Sequence, residues 1–234
     1  MKLNHLIKPM VVTLACAAAF SANAHEHKHK HEAEKEYNYA TIKAGVVSPT
    51  SMSGNAGLNT GDTTYTTGFS VGRKFQERFA VELEYMYRGK NTSRSYDASS
   101  NPGDNNSYWS ASSNTFMTNL SADLIEHSKI TPYVKAGLGM SVNKAYDYVY
   151  YDDIGTSTYS GKSQNQFAWQ AGAGLNMETT EILDTQLQYM FIDRGRIKTK
   201  ENYVTSNDGE TVSSSARTGR LREHVVTAGL TVKF

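Results

Sequence analysis

Alternation with a period of two runs through most of the chain. From Phe79 to Arg88, the residues Phe79, Val81, Leu83, Tyr85 and Tyr87 share one parity, and Ala80, Glu82, Glu84, Met86 and Arg88 share the other. A strand has this pattern because successive side chains point to opposite faces, whereas a helix would throw Glu82 and Glu84 onto nearly opposite sides. The alternation recurs, with some lapses, over Tyr37 to Val47, Thr64 to Lys74, Asn114 to Ile125, Thr131 to Val142, Asn165 to Met177, Leu183 to Asp193 and Leu221 to Phe234. Eight strands are therefore predicted, separated by gaps of 16, 4, 25, 5, 22, 5 and 27 residues. Long and short connections strictly alternate.

A soluble sandwich has no reason to sort its loops by length, but an up-and-down barrel in an outer membrane does, with tight turns on one side and long loops on the other. Face composition agrees. One parity carries Ile42, Val46, Phe69, Phe116, Leu120, Leu138, Met140, Trp169, Leu187, Phe191, Val226 and Leu230; the other carries Lys43, Glu82, Glu84, Asp123, Lys135, Asp184, Gln186, Gln188 and Lys233 among many glycines. The expected fold is all-β, an eight-stranded antiparallel up-and-down transmembrane barrel over 37–234 with four long outer loops. Its apolar parity faces lipid and its polar parity a lumen in which glycine makes room.

The N-terminus bears on the direction of that assignment, since the parity pattern alone is symmetric. Lys2 and Lys8 precede the apolar stretch Met10 to Phe20, and Ala22-Asn23-Ala24 supplies small residues of the kind a signal peptidase cuts after. Residues 1–24 are expected to be a signal peptide and 25–36 a polar, histidine-rich tail. Cys16 is the single cysteine, and Thr13 stands where a lipoprotein site would have Leu, so a barrel without thiols or disulfides is expected. A net charge of +1 supplies no basic field for nucleic acid, and the mean hydropathy is -0.54; helical membrane spans are excluded because no apolar run after the first two dozen residues approaches the ~20 needed.

The chain closes on Thr227, Gly229, Val232 and Phe234, which resembles the C-terminal signal that the barrel assembly machinery reads in outer-membrane proteins. The segments Ile130 to Met140 (ITPYVKAGLGM) and Phe167 to Leu175 (FAWQAGAGL) resemble the fifth and sixth strands of the opacity-type outer-membrane β-barrel family, which includes small surface adhesins of obligate intracellular bacteria. The resemblance covers strands and not loops. It implies a barrel in outer-membrane lipid with its loops at the cell surface, and an adhesin or surface antigen as its use.

Other motifs point to chemistry less directly. Gly68-Phe-Ser70-Val-Gly72 matches a nucleophile elbow, with His127 or His224 as a nominal base, but an elbow needs a helix after the serine and Phe79 onward is strand. Glu82 and Glu84 have the form of an acid and base pair, yet Lys43, Arg88, Lys135 and Lys233 share their face, so an interior ion-pair network is the expectation and no enzyme is predicted. His25, His27, His29 and His31 alternate with Glu26, Lys28 and Lys30, a density of imidazole that suits Cu, Ni or Zn.

Binding is expected in the outer loops. The third, 143–164, carries Tyr148, Tyr150 and Tyr151 with several aspartates; the fourth, 194–220, carries Arg194, Arg196, Lys198 and Lys200. Tyrosine offers contact area at low entropic cost, and the basic run suits a host-cell surface protein or an anionic glycan. The alternative is a narrow, porin-like channel or a structural barrel with a metal-binding tail.

Overall fold

The computed structural model describes residues 36–50, 62–76, 78–96, 106–125, 128–152, 155–205 and 211–234. Twelve strands occur among them: β1 (Tyr37–Pro49), β2 (Thr64–Phe75), β3 (Phe79–Tyr96), β4 (Asn106–Asp123), β5 (Ile130–Ala145), β6 (Tyr148–Asp152), β7 (Gly155–Tyr159), β8 (Ser163–Glu178), β9 (Leu183–Lys198), β10 (Asn202–Thr205), β11 (Thr211–Ser214) and β12 (Thr218–Lys233). Eight of these pair antiparallel in the cycle β1-β2-β3-β4-β5-β8-β9-β12 and back to β1. The ring closes through register pairs such as Ala44 with Ala228, so each of these eight strands has a partner on both sides. No helix among the described residues is long and apolar enough to cross a membrane.

The strands run further than their apolar pattern. β3 continues to Tyr96 and β4 begins at Asn106, so much of the predicted second loop is strand; the third and fourth loops hold the hairpins β6-β7 and β10-β11. The missed segments are rich in Ser, Thr and Asn on both faces, and a strand that has left the bilayer needs no apolar parity. β6 also pairs with β4 through Tyr108 and Val149, extending the sheet above the ring.

The two faces divide as the parity requires. Ile42, Leu120, Leu138 and Phe167 point outward, each more than half exposed, while Lys43, Glu82, Glu84 and Lys135 are buried inside. An apolar belt all round a closed sheet is a surface for lipid, not for water. Glycine makes room inside where expected: a side chain at Gly72 would collide with the ring of Tyr39, and one at Gly174 with that of Tyr133.

The pairing of β9 with β12 carries one irregularity among the described residues. Between the pairs Arg220 with Arg196 and Arg222 with Asp193, two residues of β9, Arg194 and Gly195, stand opposite Leu221 alone. Gly195 has φ +79°, and Asp193 Oδ1 accepts its N–H at 2.9 Å, a bulge that fits glycine because other residues resist that backbone region. The bulge keeps Arg194 inside and returns Arg196 to the outer face.

Candidate functional site

The lumen is filled in layers. Nearest the short turns, Lys233 meets Asp184 at 2.9 Å and Lys74 pairs with Asp123, beside a cavity of about 40 Å³ lined partly by Tyr37, Tyr39 and Tyr133. Above it, Lys43 Nζ lies 3.1 Å from Glu84, and Lys135 pairs with Glu82 and lies 3.0 Å from Glu84. Asn119 donates to Glu84 at 2.6 Å and to Glu82 at 3.2 Å, and Gln170 donates to Glu84 at 3.0 Å. Two carboxylates thus face two ammonium groups, with amides completing their hydrogen bonds, which is what buried charge requires.

The other two expected partners lie elsewhere. Arg88 stands four residues beyond Glu84, about 14 Å along an antiparallel strand, and pairs with Glu223; Lys233 is at the opposite rim with Asp184. Parity places a side chain in the lumen but does not give its height. Between the two ionic layers lie Val47, Met86, Met117, Ala168, Met190, Ile192 and Val225. In the upper layer Arg194 Nε donates to Glu223 at 2.8 Å and its guanidinium also reaches Thr115, while Arg88 donates to the Ala111 carbonyl at 2.9 Å. Arg194, expected in a loop, is a fully buried lumen residue.

A cap closes the far end. Trp109, Ala111, Ala145, Tyr148, Tyr159, Ile197 and Leu221 form one buried cluster. Trp109 packs edge-on to Tyr148 with centroids 6.0 Å apart and donates to the Tyr146 carbonyl at 3.1 Å, and Arg217 lies over Tyr148 and Tyr159 at 5.7 and 5.5 Å. Tyr148, expected as a displayed contact residue, is instead 3% exposed and anchors the β6-β7 hairpin to the barrel. Trp109 shares the inward parity of Ala111, Ser113, Thr115 and Met117, but the alternation predicts a fourth strand that starts only at Asn114, whereas β4 starts at Asn106.

Tyr150 and Tyr151 lie on β6, paired with Ser157 and Thr156. Arg196, Lys198 and Lys200 are all exposed at the outer end of β9. The structure brings these basic residues to one side of the barrel mouth. His25, His27, His29 and His31, with residues 1–35 generally, lie outside the described residues, as does His127. Ser70 is buried in the middle of β2, and His224 is on the outer wall with its Nδ1 2.6 Å from the Tyr189 hydroxyl, so the elbow motif and its nominal base are on opposite faces of the sheet.

A closed eight-stranded ring with an apolar exterior and a charged interior defines an outer-membrane barrel. The chain matches the outer membrane protein beta-barrel domain family over residues 12–234 and belongs to it. It is an outer-membrane protein, embedded in membrane lipid. It is 25% identical over 160 residues to outer membrane protein PagN of Salmonella typhimurium, covering 63% of this chain and 67% of PagN. Among solved structures, the outer membrane protein OprG of Pseudomonas aeruginosa has the same fold, with a TM-score of 0.54, 13% identity, and coverage of 85% of this chain and 97% of OprG. Neisserial surface protein A is also similar, with a TM-score of 0.46, 16% identity, and coverage of 84% and 97% of the two chains.

Proposed function

We propose that the protein is a surface adhesin or surface antigen that contacts host cells through the structure above its barrel. The observation that carries this reading is the contrast between the two parts of the molecule. The lumen is blocked by stacked ionic, apolar and aromatic layers. The strands meanwhile continue past their apolar belt into hairpins flanked by the exposed Lys198 and Lys200. A barrel that spends its interior on packing and its outer end on projecting chain is suited to display rather than to conduction. The partner suggested by the chemistry is a host surface protein or an anionic glycan, with the barrel assembly machinery needed for insertion.

The test separates display from scaffold. Replacing residues 150–157 by Asn-Gly closes the hairpin in a tight turn while retaining Tyr148 and Tyr159, whose rings belong to the cap. This variant and Lys198→Gln/Lys200→Gln are expected to insert normally and to lower attachment of expressing bacteria to epithelial cells several-fold. Unchanged attachment in both, at equal surface levels, overturns the proposal.

A further inference from the structure

A second basic feature faces sideways rather than upward. Arg222 and Arg220 lie on the outer face of β12, continuing the outward parity of Val226 and His224, and the β9 bulge brings Arg196 into register with Arg220 on the same face. Between them Asp193 is only 2% exposed although it belongs to the outward parity of β9, because the arginines cover it. Arg220 approaches its Oδ2 through Nε at 2.9 Å and through a terminal nitrogen at 2.8 Å, and Arg222 Nε is 3.2 Å away. One carboxylate therefore holds two guanidiniums in place, and three arginines against one aspartate leave a surplus of two positive charges. The arginine side chains remain 41% and 46% exposed at positions 220 and 222, so each has donors free for another group.

The depth of this patch identifies what it meets. Directly beneath it, His224 stacks on Tyr189 and touches Phe191, which in turn touches Trp169 with centroids 5.5 Å apart. Such rings mark the boundary between hydrocarbon and headgroups. From Val232 to His224 the strand rises about 27 Å along its own axis, or roughly 20 Å along the membrane normal at a tilt near 40°. Arg222 and Arg220 are the next two outward residues, at headgroup height on the long-loop side.

We propose that Arg196, Arg220 and Arg222, arranged by Asp193, bind the phosphorylated saccharide headgroup of an outer-leaflet glycolipid. Guanidinium suits this because its planar fork meets phosphate oxygens in pairs and is more weakly hydrated than an ammonium. A site for soluble phosphate would have no reason to stand on an aromatic girdle. The proposal takes Arg196 out of the host-facing set and is independent of attachment, which the neighbouring Lys198 and Lys200 test.

The full chain, folded into phosphatidylcholine vesicles with a minority of bisphosphorylated lipid A or of the same lipid stripped of phosphate, is extracted in mild detergent and its retained lipid measured by mass spectrometry. The wild-type protein is expected to retain the phosphorylated form on the order of tenfold better. Arg220→Gln/Arg222→Gln should bring the two forms close to equality, and Lys90→Gln, an exposed cation on the opposite wall, should leave the preference intact. If the double variant does not fold, judged by heat-dependent gel migration, Arg196→Gln leaves the Asp193 contacts in place and should still lower the preference. Equal retention of both lipids by the wild type overturns the proposal. So does displacement of the lipid by millimolar inorganic phosphate, or an undiminished preference in Arg196→Gln whose binding to a sulfated polysaccharide is lost.

Discussion

Glu223 sits between Arg88 and Arg194 with all three side chains fully buried. Removing its charge would leave two guanidiniums facing each other away from water, so Glu223→Gln is expected to lower stability by about 3–5 kcal/mol, the usual cost of orphaning a buried charge. The midpoint of urea unfolding in lipid vesicles measures this, and a change below about 1 kcal/mol would mean that water already screens the layer. Parity alone places Glu82, Glu84, Lys43 and Lys135 in the lumen, and the structure pairs them. The Arg88 and Glu223 pairing was not legible, because strands that tilt around a barrel bring together residues whose relative heights depend on a stagger that alternation does not encode.

At the scale of the strand, the legible part is the stretch that faces lipid. Val46, Phe116, Met140 and Phe191 mark where the outward apolar parity ends, and strand prediction from sequence ended close to the same places. Beyond them β3, β4 and β9 go on as hydrogen-bonded ladder with Ser, Thr, Asn and Arg on either face, which composition alone does not distinguish from loop. The bulge at Arg194 and Gly195 was hidden for the same reason, although a glycine between two arginines just past the apolar belt is its trace. Gly195→Val is expected to destabilise the outer half of β9 by at least about 1–2 kcal/mol, since an L side chain resists that φ, and its Cβ would lie 2.6 Å from the Cβ of Gln166. The unfolding midpoint of this variant reports the cost. A value equal to the wild type would show that β9 can lose the bulge by sliding its register.

For the whole molecule, the decisive property is that the axis is obstructed more than once. An eight-stranded ring is just wide enough for side chains to fill. Here the filling comprises the Lys43, Glu82, Glu84 and Lys135 network, the methionine-rich layer around Met86, Met117 and Met190, the Arg88, Glu223 and Arg194 layer, and the cap around Trp109. Buried ion pairs between facing strands and interdigitated apolar side chains cannot swing aside singly, because each is held by partners on other strands. The protein in a planar bilayer is therefore expected to show no steady ionic current. Trp109→Ala is the more demanding case. It opens the cap at the end facing the long connections, yet three filled layers remain below it, so this variant should also stay silent while losing stability by about 3–5 kcal/mol, as large aromatic truncations in packed interiors do. Sustained conductance in the wild type would overturn the packed-lumen account and favour the narrow channel over the adhesin. Conductance in Trp109→Ala alone would mean that the cap is the only barrier and that the layers beneath it admit water and ions.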